Sequence, residues 1–340
     1  MNRKKLAFVM IVLAAPALLG QPATAQIEPG RLASETAKEY RERARFPESS
    51  RALKSGEVDP IREKRTATRQ TMRGPGGAEP VLSVWAGKVS FERPQPVDLY
   101  ASLEAKGKAV GLVTEIAGEI ADASGSIVAQ ILYKDDGQGA DRRAGDGVFS
   151  ARLELPEGLD SAPAASYMVR VKARMLDGDL REAAGGFLYS SPSSHLTGRY
   201  RDFVKDGNLV IAAELDVAEA GRFHLAATLY SMAGEPIGWA QAAANLEAGR
   251  QWIELSYYGL LFHDRKVAGP FRLGTLALST TSTMPNALND LVENAHVTRA
   301  YRLGQMRREP FGSPGLIESA KRLEIEAERV ERERAGVERQ

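Results

Sequence analysis

The sequence predicts a mainly β protein: two antiparallel β-sandwiches in tandem, with a flexible charged leader before them and a charged helix after them. Three observations carry that expectation. Residues 80–190 and 195–308 are built of short runs in which apolar and polar residues alternate, the period of a half-buried strand. Turn signals separate the runs about every 8–12 residues, the spacing of a sandwich. From residue 312 the alternation gives way to an apolar repeat of three and four among many Glu and Arg.

The chain opens on Met1, Asn2, Arg3, Lys4 and Lys5, followed by an apolar run from Leu6 to Leu19 and the small-x-small triplet Ala23-Thr24-Ala25. This is the order of a cleavable signal peptide, residues 1–25, with cleavage expected between Ala25 and Gln26. The apolar run falls short of the about 20 residues that span a bilayer, so no transmembrane segment is expected after cleavage. No Cys occurs anywhere, which closes the lipid-anchor route and rules out disulfides, thiol nucleophiles and Cys-ligated zinc. The expected location is the periplasm or the outside of the cell.

Residues 26–79 are polar and poor in aromatics. A short helix is expected from Ser34, its N-cap, to about Arg45. The remainder offers little apolar surface to bury and reads as flexible.

In the first block, Tyr167, Val169, Val171, Ala173 and Met175 share one face of a strand, and Arg170, Lys172 and Arg174 the other. Phe149, Ala151 and Leu153 alternate in the same way, and Leu176-Asp177-Gly178-Asp179 signals a hairpin. Ser190-Ser191-Pro192-Ser193-Ser194 reads as a linker. In the second block Leu209, Ile211, Ala213, Leu215 and Val217 alternate, as do Phe223, Leu225, Ala227 and Leu229. In the tail, 312–340, Leu316, Ala320, Leu323, Ala327 and Val330 form a thin seam, suited to a solvated helix or to a partner helix.

Charge is nearly balanced, with 45 Lys and Arg against 44 Asp and Glu. That balance lacks the basic excess of a nucleic-acid binder.

The densest chemical feature is Asp135-Asp136-Gly137-Gln138-Gly139-Ala140-Asp141-Arg142-Arg143-Ala144-Gly145-Asp146-Gly147. Asp135, Asp136, Asp141 and Asp146 supply oxygen ligands of the kind calcium takes, and the glycines let carbonyls fold inward. The spacing is not that of an EF-hand. The same residues also suit a long loop whose Asp side chains cap backbone N–H groups, and both readings stand at this point. Upstream, Asp122-Ala123-Ser124-Gly125-Ser126 has the Asp-x-Ser-x-Ser pattern of a von Willebrand A metal site, but a strand-like run follows where that site needs a helix. An inter-strand turn is expected there.

The acidic loop, with Asp135-Asp136-Gly137, Asp141 and Ala144-Gly145-Asp146-Gly147-Val148-Phe149, resembles the turn of Ig-like domains in bacterial envelope proteins of the "choice-of-anchor X" type and related domains of unknown function. Ala140 stands where such domains usually carry Gly. The second block is similar to their companion domain through Gly221-Arg222-Phe223, Leu229-Tyr230, Gly234-Glu235-Pro236-Ile237 and Gly269-Pro270-Phe271-Arg272-Leu273. The resemblance covers about residues 80–305. It implies tandem Ig-like sandwiches in the envelope or outside the cell, and it carries no catalytic residue.

Hydrolase signatures are missing: there is no Gly-x-Ser-x-Gly elbow and no His-Glu-x-x-His helix. The four histidines are His195, His224, His263 and His296. Two surfaces could meet a partner. Arg170, Lys172 and Arg174 suit an anionic group, and Trp239, Trp252, Tyr257 and Tyr258 suit either sugar stacking or core packing. The expectation is an exported, non-catalytic binding, adhesion or scaffolding protein of the cell envelope, with a protein or glycan partner. The alternative is a carbohydrate-binding or accessory subunit of an extracytoplasmic hydrolase.

Overall fold

The computed structural model describes residues 29–63, 67–74, 77, 79–106, 108–109, 113–154, 164–191, 193–282 and 287–337. The expected signal peptide and its cleavage site at Ala25 and Gln26 lie outside the described residues. The chain divides into two compact units, residues 1–42 with 314–340, and residues 43–313.

The first unit is a pair of antiparallel helices, α1 (Pro29–Ala44, whose last two residues fall in the second unit) and α4 (Pro314–Val337). Pro29 is already helical, five residues ahead of the expected N-cap Ser34, so the helix is not opened by that cap. Gly30 and Ala37 are buried and Ala33, Ser34, Thr36 and Tyr40 half-buried, which places the protected positions on one side of the helix. On α4 the protected positions are the expected seam: Ala320 and Ala327 are buried, and Leu316, Leu323 and Val330 half-buried. Small residues let the backbones approach; a Cβ on Gly30 would lie 3.4 Å from Val330 and 3.5 Å from Ala327. Arg41 then clasps Glu324 through two bonds of 2.6 Å. The seam is therefore occupied within the chain.

The second unit holds two sandwiches, each around its own core. Between α1 and the first of them come β1 (Ser50–Ala52), the short α2 (Pro60–Glu63) and β2 (Gln70–Met72). The first sandwich continues with β3 (Val81–Ala86), β4 (Ser90–Glu92), β5 (Val97–Ala105), β6 (Lys108–Ala109), β7 (Val113–Ala121), β8 (Ile127–Leu132), β9 (Val148–Leu153), β10 (Ala164–Met175) and β11 (Leu180–Ser190). One sheet runs β2-β3-β5, with β6 and β9 both on the far side of β5; the other runs β4-β11-β10-β7-β8. Tyr167, Val169, Val171, Ala173 and Met175 all point into the core, as the alternation requires. The β10–β11 hairpin turns at Gly178, whose φ of 90° suits glycine.

The second sandwich comprises β12 (Ser194–Lys205), β13 (Asn208–Val217), β14 (Gly221–Ser231), β15 (Pro236–Leu246), β16 (Gly249–Tyr257), the helix α3 (Leu260–Arg265), β17 (Phe271–Thr280) and β18 (Ala287–Val297). A sheet β12-β13-β16 faces a sheet β1-β15-β14-β17-β18. Leu209, Ile211, Ala213, Leu215 and Val217 of β13 meet Phe223, Leu225, Ala227 and Leu229 of β14, each at 2% exposure or less. The Leu, Ile, Val and Phe side chains among them contribute about 1.5–3 kcal/mol apiece.

The leader corrects the expectation of flexibility. Phe46 enters the second core, and β1 adds to the edge of β15 with Ser50 opposite Ala240. Asp59 caps α2, accepting bonds from the N–H groups of Ile61 (3.0 Å) and Arg62 (3.2 Å), and also takes the hydroxyls of Thr228 (2.7 Å) and Tyr230 (3.1 Å) on β14. Ile61 covers Ala226, Trp239 and Ala277 on the outer face of the sheet. β2 then joins β3 of the first sandwich. A segment with few apolar residues orders because strand addition uses backbone groups, and its three anchors, Phe46, Leu53 and Ile61, enter seats that the sandwiches provide.

Replacing Asp59 by Ala is expected to cost about 2 kcal/mol in urea unfolding, since two hydroxyls and two N–H groups lose their acceptor. Asp59→Asn, which keeps one acceptor oxygen, is expected to cost less; no measurable loss in Asp59→Ala would show that the carboxylate is not what holds this segment.

Candidate functional site

The acidic loop spans the gap between β8 and β9 and crosses from one sheet of the first sandwich to the other. The crossing begins with Lys134, which bridges to Ser150 on β9. Four glycines then take positive φ: Gly137 (72°), Gly139 (64°), Gly145 (73°) and Gly147 (80°). These turns aim backbone N–H groups inward, where they would be costly to leave unpaired. The aspartates supply the acceptors. Asp135 takes the N–H groups of Gly145 (2.6 Å), Asp146 (3.3 Å) and Gly147 (2.9 Å). Asp141 takes Gly137 (2.6 Å) and Arg143 (3.0 Å), Asp136 takes Gln138 (3.0 Å) and Asp146 takes Val148 (2.9 Å). The N–H groups of Arg143 and Gly137 hold the Asp141 carboxyl below its usual range, against a smaller opposing effect of burial.

The loop thus folds as the N–H-capping alternative requires, and the same fold gathers carboxylates. One oxygen each of Asp135, Asp141 and Asp146 lies within 4.8 Å of the others. Asp136, expected with them, is not part of that group. Three carboxylates could furnish three of the about six to eight oxygens a calcium ion takes. Their remaining lone pairs are available, since an ionised carboxylate has about four acceptor positions.

The turn at Asp122 has the same economy: its Oδ1 accepts the N–H groups of Ser124 (2.8 Å) and Ser126 (3.0 Å) and the Ser124 hydroxyl (2.6 Å). It joins β7 to β8, both strands, so the helix of a von Willebrand A site is not there.

Neither candidate surface is a free, continuous patch. On the outer face of β10, Lys172 lies 3.7 Å from Glu182, while Arg170 and Arg174 stand opposite Glu119 and Glu115 across the β7–β10 ladder. Acidic cross-strand neighbours offset the basic stripe. The aromatic residues do not form one platform. Tyr257 is fully buried and Tyr258 nearly so. Trp239 lies under Ile61 and Arg51, and Trp252, on the outer face of the opposite sheet, lies 4.1 Å beneath Arg201.

The histidines separate in the same way. His263 bonds the Met306 carbonyl at 3.0 Å, whereas its neighbour Asp264 pairs with Arg45 at 2.7 Å, so the two form no dyad. His195 lies between Glu92 (3.5 Å) and Asp290 (3.4 Å). His224 faces Gln241.

One cluster escaped the sequence. Asp202, 8% exposed on β12, receives His296 (2.8 Å), the N–H and Nε of Arg299 (3.2 and 3.1 Å) and the Tyr301 hydroxyl (2.6 Å). The partners are more than 90 residues away, and no local spacing signals them. Burial would raise the Asp202 carboxyl, but the bonds from Tyr301, His296 and Arg299 outweigh it and hold it at about 2. The cluster clasps β12 to β18 across the open side of the second sandwich.

Comparison with known proteins gives a match for one domain. Residues 195–289 match the DUF4785 C-terminal domain, a domain of unknown function. The match covers most of the second sandwich and none of the first. No curated protein matches the chain. Among solved structures, the chain is similar to a DUF4785 family protein from Legionella pneumophila, at 16% identity over 68% of this chain and 58% of that one, with a TM-score of 0.45. It is also similar to CopC from Methylosinus trichosporium, at 19% identity over 36% and 95% of the two chains (TM-score 0.20), and to a Salmonella alpha-2-macroglobulin, at 13% over 71% and 16% (TM-score 0.30). The chain spans less than two thirds of the length of the Legionella protein, and likenesses at these scores carry nothing about activity.

Two outcomes follow from the loop and the cluster. Calcium is expected to raise the melting temperature and chelator to lower it, with the response lost in Asp135→Asn and kept in Asp136→Asn; a flat response in the wild type removes calcium from the loop. For Asp202, the folded carboxyl sits below its unfolded value of about 3.9, so its stabilisation is complete above that value and is lost as pH falls from about 4 toward 2. Over this window the wild type should lose about 2 kcal/mol more than Asp202→Asn in urea unfolding. Parallel curves would exonerate Asp202.

Proposed function

We propose that the chain is an exported, non-catalytic binding, adhesion or scaffolding protein of the bacterial cell envelope, built on two Ig-like domains akin to the choice-of-anchor X type. The observation that carries this reading is the two-core architecture. Each sandwich fills its interior with its own side chains, and the strap from Phe46 to Met72 knits one to the other. What such a molecule offers a partner is outer surface. Structural calcium at Asp135, Asp141 and Asp146 belongs to the same proposal. Export rests on the first 25 residues: basic start, apolar run and Ala23-Thr24-Ala25.

A sugar-binding accessory subunit is the weaker reading, because Trp239 and Trp252 sit on opposite outer faces, under Ile61 and Arg201 respectively.

The mature protein recovered from the periplasm or medium is expected to begin at Gln26, read as the mass of its N-terminal peptide, and to retain a stable protein partner through affinity purification. Recovery of the uncleaved chain in the cytoplasm, or glycan hydrolysis abolished by a single carboxylate substitution, would overturn the proposal.

A further inference from the structure

A strand at the edge of a sheet presents N–H and C=O groups that pair with another strand unless something blunts them. Among the described strands most edges are blunted. β1, β2 and β4 are three residues long, and β6 carries Lys108. β9 carries Arg152, β12 carries Arg199, Arg201, Asp202 and Lys205, β16 carries Arg250 and Glu254, and β18 carries Asp290 and Glu293. β8 has neither protection. Its six residues, Ile127, Val128, Ala129, Gln130, Ile131 and Leu132, include no charge and no proline, and Ile127 and Leu132 are 52% and 61% exposed. One side of β8 pairs with β7. A bulge at Val128 ends the regular ladder, leaving Ala129–Leu132 matched one for one with Ile120–Ala117.

We propose that β8 is a self-association edge, to which a second copy of the chain adds its own β8 in antiparallel register about a two-fold axis at Gln130. The register follows from geometry. Residues directly opposite in an antiparallel pair share a face, so a two-fold axis must bring one residue against itself. Gln130 can meet itself, because its amide is donor and acceptor at once and two copies bond reciprocally. Lys or Glu at that place would repel. On either side Ile131 comes opposite Ala129, and Leu132 reaches the bulge at Val128, so this short ladder is free of charge. This self-complementarity selects a second copy over a foreign strand. A ladder so short covers well under the about 1,200 Å² of a lasting interface, which makes the dimer weak and driven by concentration. The proposal stands independently of the envelope assignment, since it concerns only the purified chain.

Sedimentation velocity of the purified full chain, up to about 500 µM, is expected to show a monomer passing to a dimer. Gln130→Lys should weaken that dimer at least roughly tenfold while leaving the melting temperature unchanged, as befits an exposed position. Hydrogen exchange at residues 129–132 should slow with concentration in the wild type and not in the variant. A wild type that stays monomeric throughout, a dimer that survives Gln130→Lys, or protection of these amides only when a different protein is added would each overturn the proposal.

Discussion

The second unit depends on where one carboxylate goes. Asp59 is nearly buried, and burying a charge without partners is costly. Here four donors converge on it: two N–H groups at the start of α2 and the hydroxyls of Thr228 and Tyr230. The bonds to β14 tie a polar segment to the outside of a sheet whose inner face is already filled. With Asp59 seated, β1 lies on one side of it in the chain, paired to the second sandwich, and β2 lies on the other, paired to the first.

A similar logic builds the acidic loop. Positive-φ glycines turn N–H groups inward, and carboxylates arrive to meet them. The gathering of Asp135, Asp141 and Asp146 is therefore a by-product of backbone satisfaction as much as a cation cradle. Asp136 shows the difference: it serves its own turn at Gln138 and stays out of the group.

What was legible in the sequence was what is periodic. The faces of β10, β13 and β14, and the seam of α4, could be read because strand and helix impose fixed repeats on burial. The Asp-Gly turns could be read because so few residues accept positive φ. The leader could not, because its order comes from backbone pairing and from single anchors such as Ile61, which leave no repeat. Nor could the Asp202 clasp, whose members come from β12 and from the chain around and beyond the end of β18. Surface chemistry was legible only as composition: Arg170, Lys172 and Arg174 announce a basic stripe, while Glu115, Glu119 and Glu182, which offset it, come from other strands.

The strap has a consequence for how the molecule comes into being. Ser50 pairs with Ala240, and Asp59 waits for Thr228 and Tyr230, so residues made early find their partners only after some 170 to 190 more have been added. In the first unit, Gly30 awaits Ala327 in the same way. Pairing at such sequence separations carries a large loop-closure cost and slows folding. Before those partners are made the first sandwich can close its sheets, β2 included, while the strap ahead of β2 stays an unpaired polar thread. Its low apolar content, which hid its structure from the sequence, leaves little apolar surface open to aggregation in the meantime.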